Sequence, residues 1–214
     1  MFSITLITMG KLKETFYISA AEEYKKRLGG YCAFTLLELP EARLPENPSP
    51  GEIEAGLEKE AELIFSKIPK GSWFCVLTPE GKELSSEAFA DKLRDVKNSG
   101  KSSACFLIGS SFGMSPRVKQ RADFRLSMGA MTFPHHLARI MVLEQLYRAE
   151  AIQAGSKYHK LTSFKAPRAV AEPFLRPMCL LFRFLYLFYM KYLDRRGTLC
   201  YTARVRRDAC VYCR

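Results

Sequence analysis

Hydrophobic residues alternate along the chain between short continuous runs and longer segments in which apolar positions recur every three to four residues. Short runs that end at glycine or proline are typical of buried strands, and the longer spacing is typical of amphipathic helices. The runs predict strands at 2–9, 33–39, 73–77, 104–108 and 124–127. The spaced segments predict helices at 14–28, 52–68 and 85–96, a short helix from Ser115 and a long helix from His135. Three prolines predict a loop at 41–51.

This alternation predicts an α/β fold with a mainly parallel sheet and helices on both faces. Ligands bind to such sheets beyond the carboxyl ends of the strands. In the second half of the predicted sheet these ends fall at 77–81, 109–113 and 127–133. We therefore expect a binding site where the three segments meet.

The segment 126–148 joins a glycine-containing loop to the long predicted helix. Pro134 suits the helix start, because the amide hydrogen that it lacks would have no partner there. The loop leaves bare backbone beside Gly129 for a flat ligand, and the helix start offers unpaired N–H donors. Arg139 follows without an acidic neighbour in sequence. It reaches either water or a ligand, and its location favours a ligand or substrate role.

The long helix is apolar on nearly every side, which is typical of a helix buried in a core or against a partner. In a chain of 214 residues a partner subunit is the better explanation. Glu144 and Arg148 are four residues apart and are expected to form an ion pair. The apolar positions are Leu137, Ile140, Met141, Val142, Leu143, Leu146 and Ile152.

The length predicts one or two domains, and the positive charge is uneven. Residues 161–214 hold eleven Lys/Arg and three Asp/Glu, so they contribute 8 of the formal net charge of +11. The mild excess in 1–160 is compatible with RNA binding without demonstrating it. Seven cysteines without framework spacing suit a reducing cytoplasm. The N-terminus lacks the basic region and cleavage site of a signal peptide and is predicted to be the first strand.

General motifs exclude several chemistries. The glycines at 109–113 match neither a dinucleotide fingerprint nor a phosphate-binding loop, and a tight turn explains them. His135 and His136 are adjacent, so they point to different sides of a helix and do not form a two-histidine metal site. No metal site and no nucleophile elbow are predicted.

Several longer motifs resemble one known family. They are ITLITMGKLKE at 4–14, EYKKRL at 23–28, EGKELSSE at 80–87, FLIGSSFG at 106–113, LSMGAMTFPHHLARIMVLEQLYRA at 126–149 and YHK at 158–160. In order and spacing, residues 1–160 resemble the ribosomal RNA large subunit methyltransferase H family, small members of the knotted SPOUT methyltransferases. The resemblance implies an α/β sheet with a C-terminal trefoil knot, a homodimer whose site is completed across the interface, a cytoplasmic location and no membrane association for 1–160.

The same resemblance implies an activity and its site. Family members use S-adenosylmethionine to methylate N3 of a pseudouridine in large-subunit ribosomal RNA on the assembled ribosome. Arg139 is the candidate cation near the base, His135 or His159 the candidate proton acceptor, and Tyr158 a candidate for stacking on the base. Ordinary structural roles stay open for His135, as a hydrogen-bonding group at the helix start, and for Tyr158, as a packing aromatic. The resemblance implies that the cofactor is bound by Leu77, Gly109, Met128, Gly129, Ala130, Met131, Thr132 and Phe133.

Two features depart from the family. Ser110 stands where a second glycine is usual, and a modest effect is expected if the backbone there does not need a positive φ. The chain also continues over 161–214, an atypical basic segment rich in Cys and aromatic residues. We interpret that segment as an extension that is non-native or disordered, the product of a frameshift or of reading past a stop. A non-catalytic RNA-binding or ribosome-assembly protein is the alternative function.

Overall fold

The computed structural model describes residues 1–156 and 158, all of which belong to one compact unit, Met1–Lys160. Five strands and five helices alternate in that part of the chain. The expectations for 161–214, and that for His159, lie outside the described residues. The elements are β1 Ser3–Met9, α1 Thr15–Leu28, β2 Ala33–Leu39, α2 Pro50–Lys67, β3 Trp73–Glu83, α3 Ser86–Asn98, β4 Ser103–Ile108, α4 Pro116–Arg121, β5 Phe124–Ser127 and α5 His135–Gln153.

The strands form one parallel sheet in the order β2-β1-β4-β3-β5. Because alternate side chains of a strand point to opposite faces, each of β1, β2, β3 and β4 contributes to two apolar clusters. Leu6 and Phe106 pack with α1, α3 and α5, whereas Ile7 and Leu107 pack with α2 and α4. The predicted α/β fold, with a parallel sheet and helices on both faces, is confirmed.

Two boundaries differ from the prediction for local reasons. α2 begins at Pro50 because Ser49 and Glu52 form a reciprocal capping box and proline fits the first helical position. β3 continues to Glu83 because its pairing with β5 resumes after a register shift between Leu77 and Lys82. The predicted ligand-binding turn 77–81 is therefore a bulge within a strand, and a bulge redirects the backbone locally.

Helix α5 packs against both α1 and α3, yet part of its apolar surface is uncovered in the single chain. Val142, Leu143 and Leu146 are buried, whereas Leu137, Ile140 and Met141 are half-buried. On α1, Phe16 and Ile18 are exposed. None of the helices described by the structure combines the length and apolar character that crossing a bilayer requires.

Candidate functional site

A cavity of about 670 Å³ is lined by three segments, the bulge of β3 at 77–79 and the turns that follow β4 and β5. Its volume is within the range of small-molecule sites, which are mostly apolar with a few polar groups. All three predicted strand ends therefore contribute to one site. The cavity is lined by Leu77, Thr78, Pro79, Ile108, Gly109, Ser110, Ser111, Gly113, Met114, Leu126, Ser127, Met128, Gly129, Met131, Thr132, Phe133, Pro134, His135 and Ala138.

The structure brings seven of the eight residues predicted to bind a cofactor to the wall of this cavity. Ala130 does not line it, although both of its neighbours do. Thr78, Ser110, Ser111 and Met114 also line the cavity, although the family resemblance did not assign them to cofactor binding. The predicted strand ends contain or adjoin all four of them, so proximity in sequence was the available signal.

The turn after β4 is rigid. Ser110 and Gly113 exchange backbone hydrogen bonds of 3.0 and 2.9 Å, and Gly113 has a φ of 91°. A Cβ atom on Gly109 would lie 2.3 Å from the carbonyl oxygen of Gly113, far inside van der Waals contact. Gly109 is thus required because another backbone approaches it closely, whereas Gly113 supplies a left-handed conformation.

The loop after β5 is held by its own first residue. The Ser127 hydroxyl accepts a 3.2 Å hydrogen bond from the Gly129 amide, a local contact that serine favours in turns. Gly129 has a φ of 118°, which side-chain-bearing residues rarely adopt. This geometry leads the chain past the cavity and into α5, as the glycine in the sequence predicts.

One polar atom in the cavity wall has no partner. Thr78 is 4% exposed, and its Oγ1 has no hydrogen-bond partner among the described residues. A buried hydroxyl without a partner is costly, and a ligand with a complementary polar group would remove that cost. Among the described residues that line the cavity, His135 is the only ionisable one. The wall therefore contacts a ligand mainly through apolar side chains, hydroxyl groups and backbone hydrogen-bonding groups.

His135 is half-buried at the start of α5, with its Nε2 4.0 Å from Glu41 Oε1. Burial lowers the pKa of the imidazole and the neighbouring His136 lowers it further, whereas Glu41 raises it. The side chain is consequently neutral at neutral pH, the form that accepts a proton. That is the chemistry predicted for a proton acceptor at this position.

The same shift predicts a pH effect on stability. The pKa of His135 is lower in the folded than in the unfolded protein. Its contribution to the free energy of unfolding is therefore fully present above the unfolded pKa and is lost as the pH falls through the folded pKa. His135→Gln should therefore flatten the decline in unfolding free energy between about pH 7 and pH 5. Urea unfolding at both pH values measures this, and an unchanged slope would contradict it.

Arg139 is 1% exposed, and its contacts are internal. Nη1 donates to Glu38 Oε1 at 2.5 Å, and Nη2 donates to the carbonyls of Met9 at 3.3 Å and Gly10 at 2.9 Å. Its Nε has no hydrogen-bond partner among the residues described. The side chain therefore joins α5 to the ends of β1 and β2 and does not line the cavity. The expectation that it reaches either water or a ligand missed its ion pair with Glu38.

Tyr158 lies near the other end of α5. Its hydroxyl donates to the Glu144 carboxylate at 3.2 Å, and its ring contacts Tyr147 and Arg148. Glu144 also forms the predicted ion pair with Arg148. Because Glu144 is nine residues beyond His135, these groups are about 14 Å apart along the helix axis. The structure does not bring Tyr158 to the cavity of its own chain.

No cluster of metal-ligating side chains occurs in the residues described, and His135 and His136 contact different acids, Glu41 and Glu14. The site instead consists of backbone turns, hydroxyl groups and one imidazole. Such a site binds and orients a ligand that already carries a reactive group.

Comparisons with known proteins agree with this type of site. The family model described as "Predicted SPOUT methyltransferase" matches residues 2–159. The chain is 45% identical over 158 residues to "Ribosomal RNA large subunit methyltransferase H" of Ligilactobacillus salivarius, a match that covers 74% of this chain and 99% of that protein. The proteins of the same name from Leuconostoc citreum and Clostridioides difficile are each 44% identical, with the same coverage. The solved tRNA (m1G37) methyltransferase from Aquifex aeolicus is 15% identical, with a TM-score of 0.42 over 68% of this chain and 69% of that one, which is too low to support an inference.

Proposed function

The chain belongs to the ribosomal RNA large subunit methyltransferase H family of SPOUT methyltransferases, and from that premise we propose its reaction. Residues 1–160 form a methyltransferase domain that uses S-adenosylmethionine to methylate N3 of a pseudouridine in large-subunit ribosomal RNA, on assembled ribosomes in the cytoplasm. The observation that carries the proposal is the single cavity formed by the ends of β3, β4 and β5. The trefoil knot implied by the sequence stays a prediction.

The residues of the cavity fit S-adenosylmethionine. The bare backbone at Gly129, where an added Cβ would meet no atom within 4 Å, accommodates a flat adenine, and the unpartnered Thr78 hydroxyl is available to a polar group of the cofactor. Bound there, S-adenosylmethionine supplies a methyl group that its sulfonium already activates. The protein must therefore align the acceptor base and handle one proton.

Two side chains are proposed to manage that proton. N3 of a uracil ring loses its proton readily only well above neutral pH, so a nearby base and a group that favours the anion both assist. Neutral His135 at the cavity wall is the proposed acceptor. Arg139 is the proposed cation, and because its guanidinium is buried outside the cavity wall, it would favour the anion through its positive charge and not by contact.

A homodimer would complete the site. Tyr158 lies beyond the C-terminal end of α5, with its hydroxyl beside Glu144, and does not reach the cavity of its own chain. The apolar side chains left uncovered on α1 and α5 favour pairing with a second protomer. We therefore propose that Tyr158 of one protomer faces the cofactor cavity of its partner; His159, the other candidate, lies outside the described residues.

Mixed dimers test the shared site. Gly109→Ala removes the cavity and Tyr158→Ala removes the stacking group, so each variant alone should be inactive. Co-expression should restore about a quarter of the normal methyl transfer, because half of randomly mixed dimers carry one intact composite site. Radiolabel transfer to ribosomes measures the effect. No recovery in dimers verified as mixed would place both groups in the site of a single chain.

Two assays test the function itself. Isothermal titration with S-adenosylmethionine distinguishes a methyltransferase, which should release heat, from a non-catalytic RNA-binding protein, which should not. Ribosomes from a strain that lacks the enzyme should then acquire one methyl group in large-subunit RNA, mapped by primer extension. Cofactor binding without methylation of any ribosomal particle would overturn the proposed substrate.

A further inference from the structure

Helix α2 contains a buried acid for which the methyl-transfer site has given no role. Glu60 is 6% exposed, and no ion pair joins it to a cation in the described part of the chain. Burial raises the pKa of its carboxyl group, and a hydrogen bond from Ala42 and the Ser110 hydroxyl lower it. Burying a carboxyl group without a neighbouring cation is costly, so the burial of Glu60 calls for a physical reason.

Glu60 lies close to two loops that are far apart in sequence. Its Oε1 accepts a 2.8 Å hydrogen bond from the backbone N–H of Ala42, in the loop that follows β2. The Ser110 hydroxyl, at the cavity wall, lowers the pKa of the same carboxyl group, whereas its own hydrogen bond at 3.4 Å goes to the Gly113 carbonyl. Glu60 therefore lies between the loop after β2 and the turn after β4.

The first of these loops reaches His135. Glu41, next to Ala42, places its Oε1 4.0 Å from His135 Nε2. Gly10 leaves the space that this carboxylate needs, since a Cβ on Gly10 would lie 2.8 Å from Glu41 Oε1. A continuous set of contacts thus runs from Glu60 through Ala42 and Glu41 to the imidazole.

We propose that Glu60 is a positioning residue for methyl transfer, which holds the loop after β2 so that Glu41 lies against His135. The role rests on the proposed function. Loss of Glu60 releases this loop, so it affects the proton acceptor and leaves the cofactor cavity in place.

The imidazole of His135 reports this role without any enzymatic assay. The charged and titratable groups that act on it are Glu41 after β2, Glu14 before α1, and His136 and Arg139 on α5. Since Glu41 raises the pKa of His135, releasing Glu41 must lower it. NMR titration of the assigned His135 resonance should show a lower pKa in Glu60→Ala and in Glu41→Gln. The double variant should show no further shift.

Glu60→Gln separates position from charge. Its amide oxygen still accepts from Ala42, so His135 should titrate as in the unmodified chain. In both Glu60→Gln and Glu60→Ala the dissociation constant for S-adenosylmethionine should stay within about twofold, because Glu60 does not line the cavity. Glu41→Gln, which keeps the contact between Glu60 and Ala42, should give the same lowered pKa of His135 if Glu60→Ala does not fold.

Glu54→Gln is the matched control, since Glu54 lies on α2 and is exposed. Equal shifts of His135 in Glu60→Gln and Glu60→Ala would overturn the proposal, because charge alone would then explain them. Additive shifts with Glu41→Gln would overturn it as well. If the unmodified chain titrates as expected but transfers no methyl group, the proposed function fails while the positioning contact stands.

Discussion

Gly109→Ala should abolish binding of S-adenosylmethionine and, with it, methyl transfer. A methyl group at this position would lie 2.3 Å from the Gly113 carbonyl oxygen and 2.9 Å from its carbon. Both are backbone atoms, so the overlap is relieved only by opening the hydrogen-bonded turn between Ser110 and Gly113. That turn forms one wall of the cavity, and we expect cofactor affinity to fall by more than about a hundredfold, roughly 3 kcal/mol.

Gly51→Ala is the matched control. Gly51 lies in the first turn of α2, has no atom within 4 Å of an added Cβ, and does not have a positive φ. Alanine is the better helix former, so this variant should bind the cofactor normally and be at least as stable. Isothermal titration measures the affinity, and circular dichroism verifies that Gly109→Ala is folded. Normal affinity in folded Gly109→Ala would exclude the turn from the cofactor site.

Much of the fold could be predicted because its signals are local. Each strand is a short apolar run and each helix a spaced one, so periodicity alone indicates an α/β sheet. The predicted end of a strand was wrong where pairing with a neighbouring strand decides it. Nothing between Leu77 and Lys82 predicts that β3 resumes its pairing with β5 after a shift in register. The capping pair Ser49 and Glu52 was visible in the sequence, but the prolines around it favoured a loop.

The candidate site could likewise be predicted only in part. Its cavity could be predicted because parallel strands bring their carboxyl ends to one edge, and glycines mark the turns there. The polar pairs could not be predicted, because they join distant segments. Glu38 and Arg139 are 101 residues apart, and no pattern in either segment predicts their contact. Burial of Arg139 likewise depends on how α5 packs beside β1 and β2.

Arg139→Ala should eliminate methyl transfer while leaving the affinity for S-adenosylmethionine within about threefold, since Arg139 does not line the cavity. The substitution removes the proposed cation and the donor to the carbonyls of Met9 and Gly10, whereas Glu38, which is exposed, keeps its hydrogen bond from the Leu12 amide. Removing the donor of a buried carbonyl destabilises a protein, and we expect a loss of about 2 kcal/mol. Urea unfolding measures that loss, and titration with cofactor measures the affinity.

Arg139→Lys separates the two roles. Lysine keeps the positive charge but lacks the planar fork that contacts a carboxylate and two carbonyls together. If Arg139 acts through charge near the base, Arg139→Lys should retain measurable transfer at saturating ribosomes. If it acts by joining α5 to the ends of β1 and β2, both variants should lose stability and cofactor affinity in parallel. Equal loss of binding and transfer would therefore assign Arg139 to the framework of the cavity, and His135 would be the remaining candidate for proton transfer among the residues that line it.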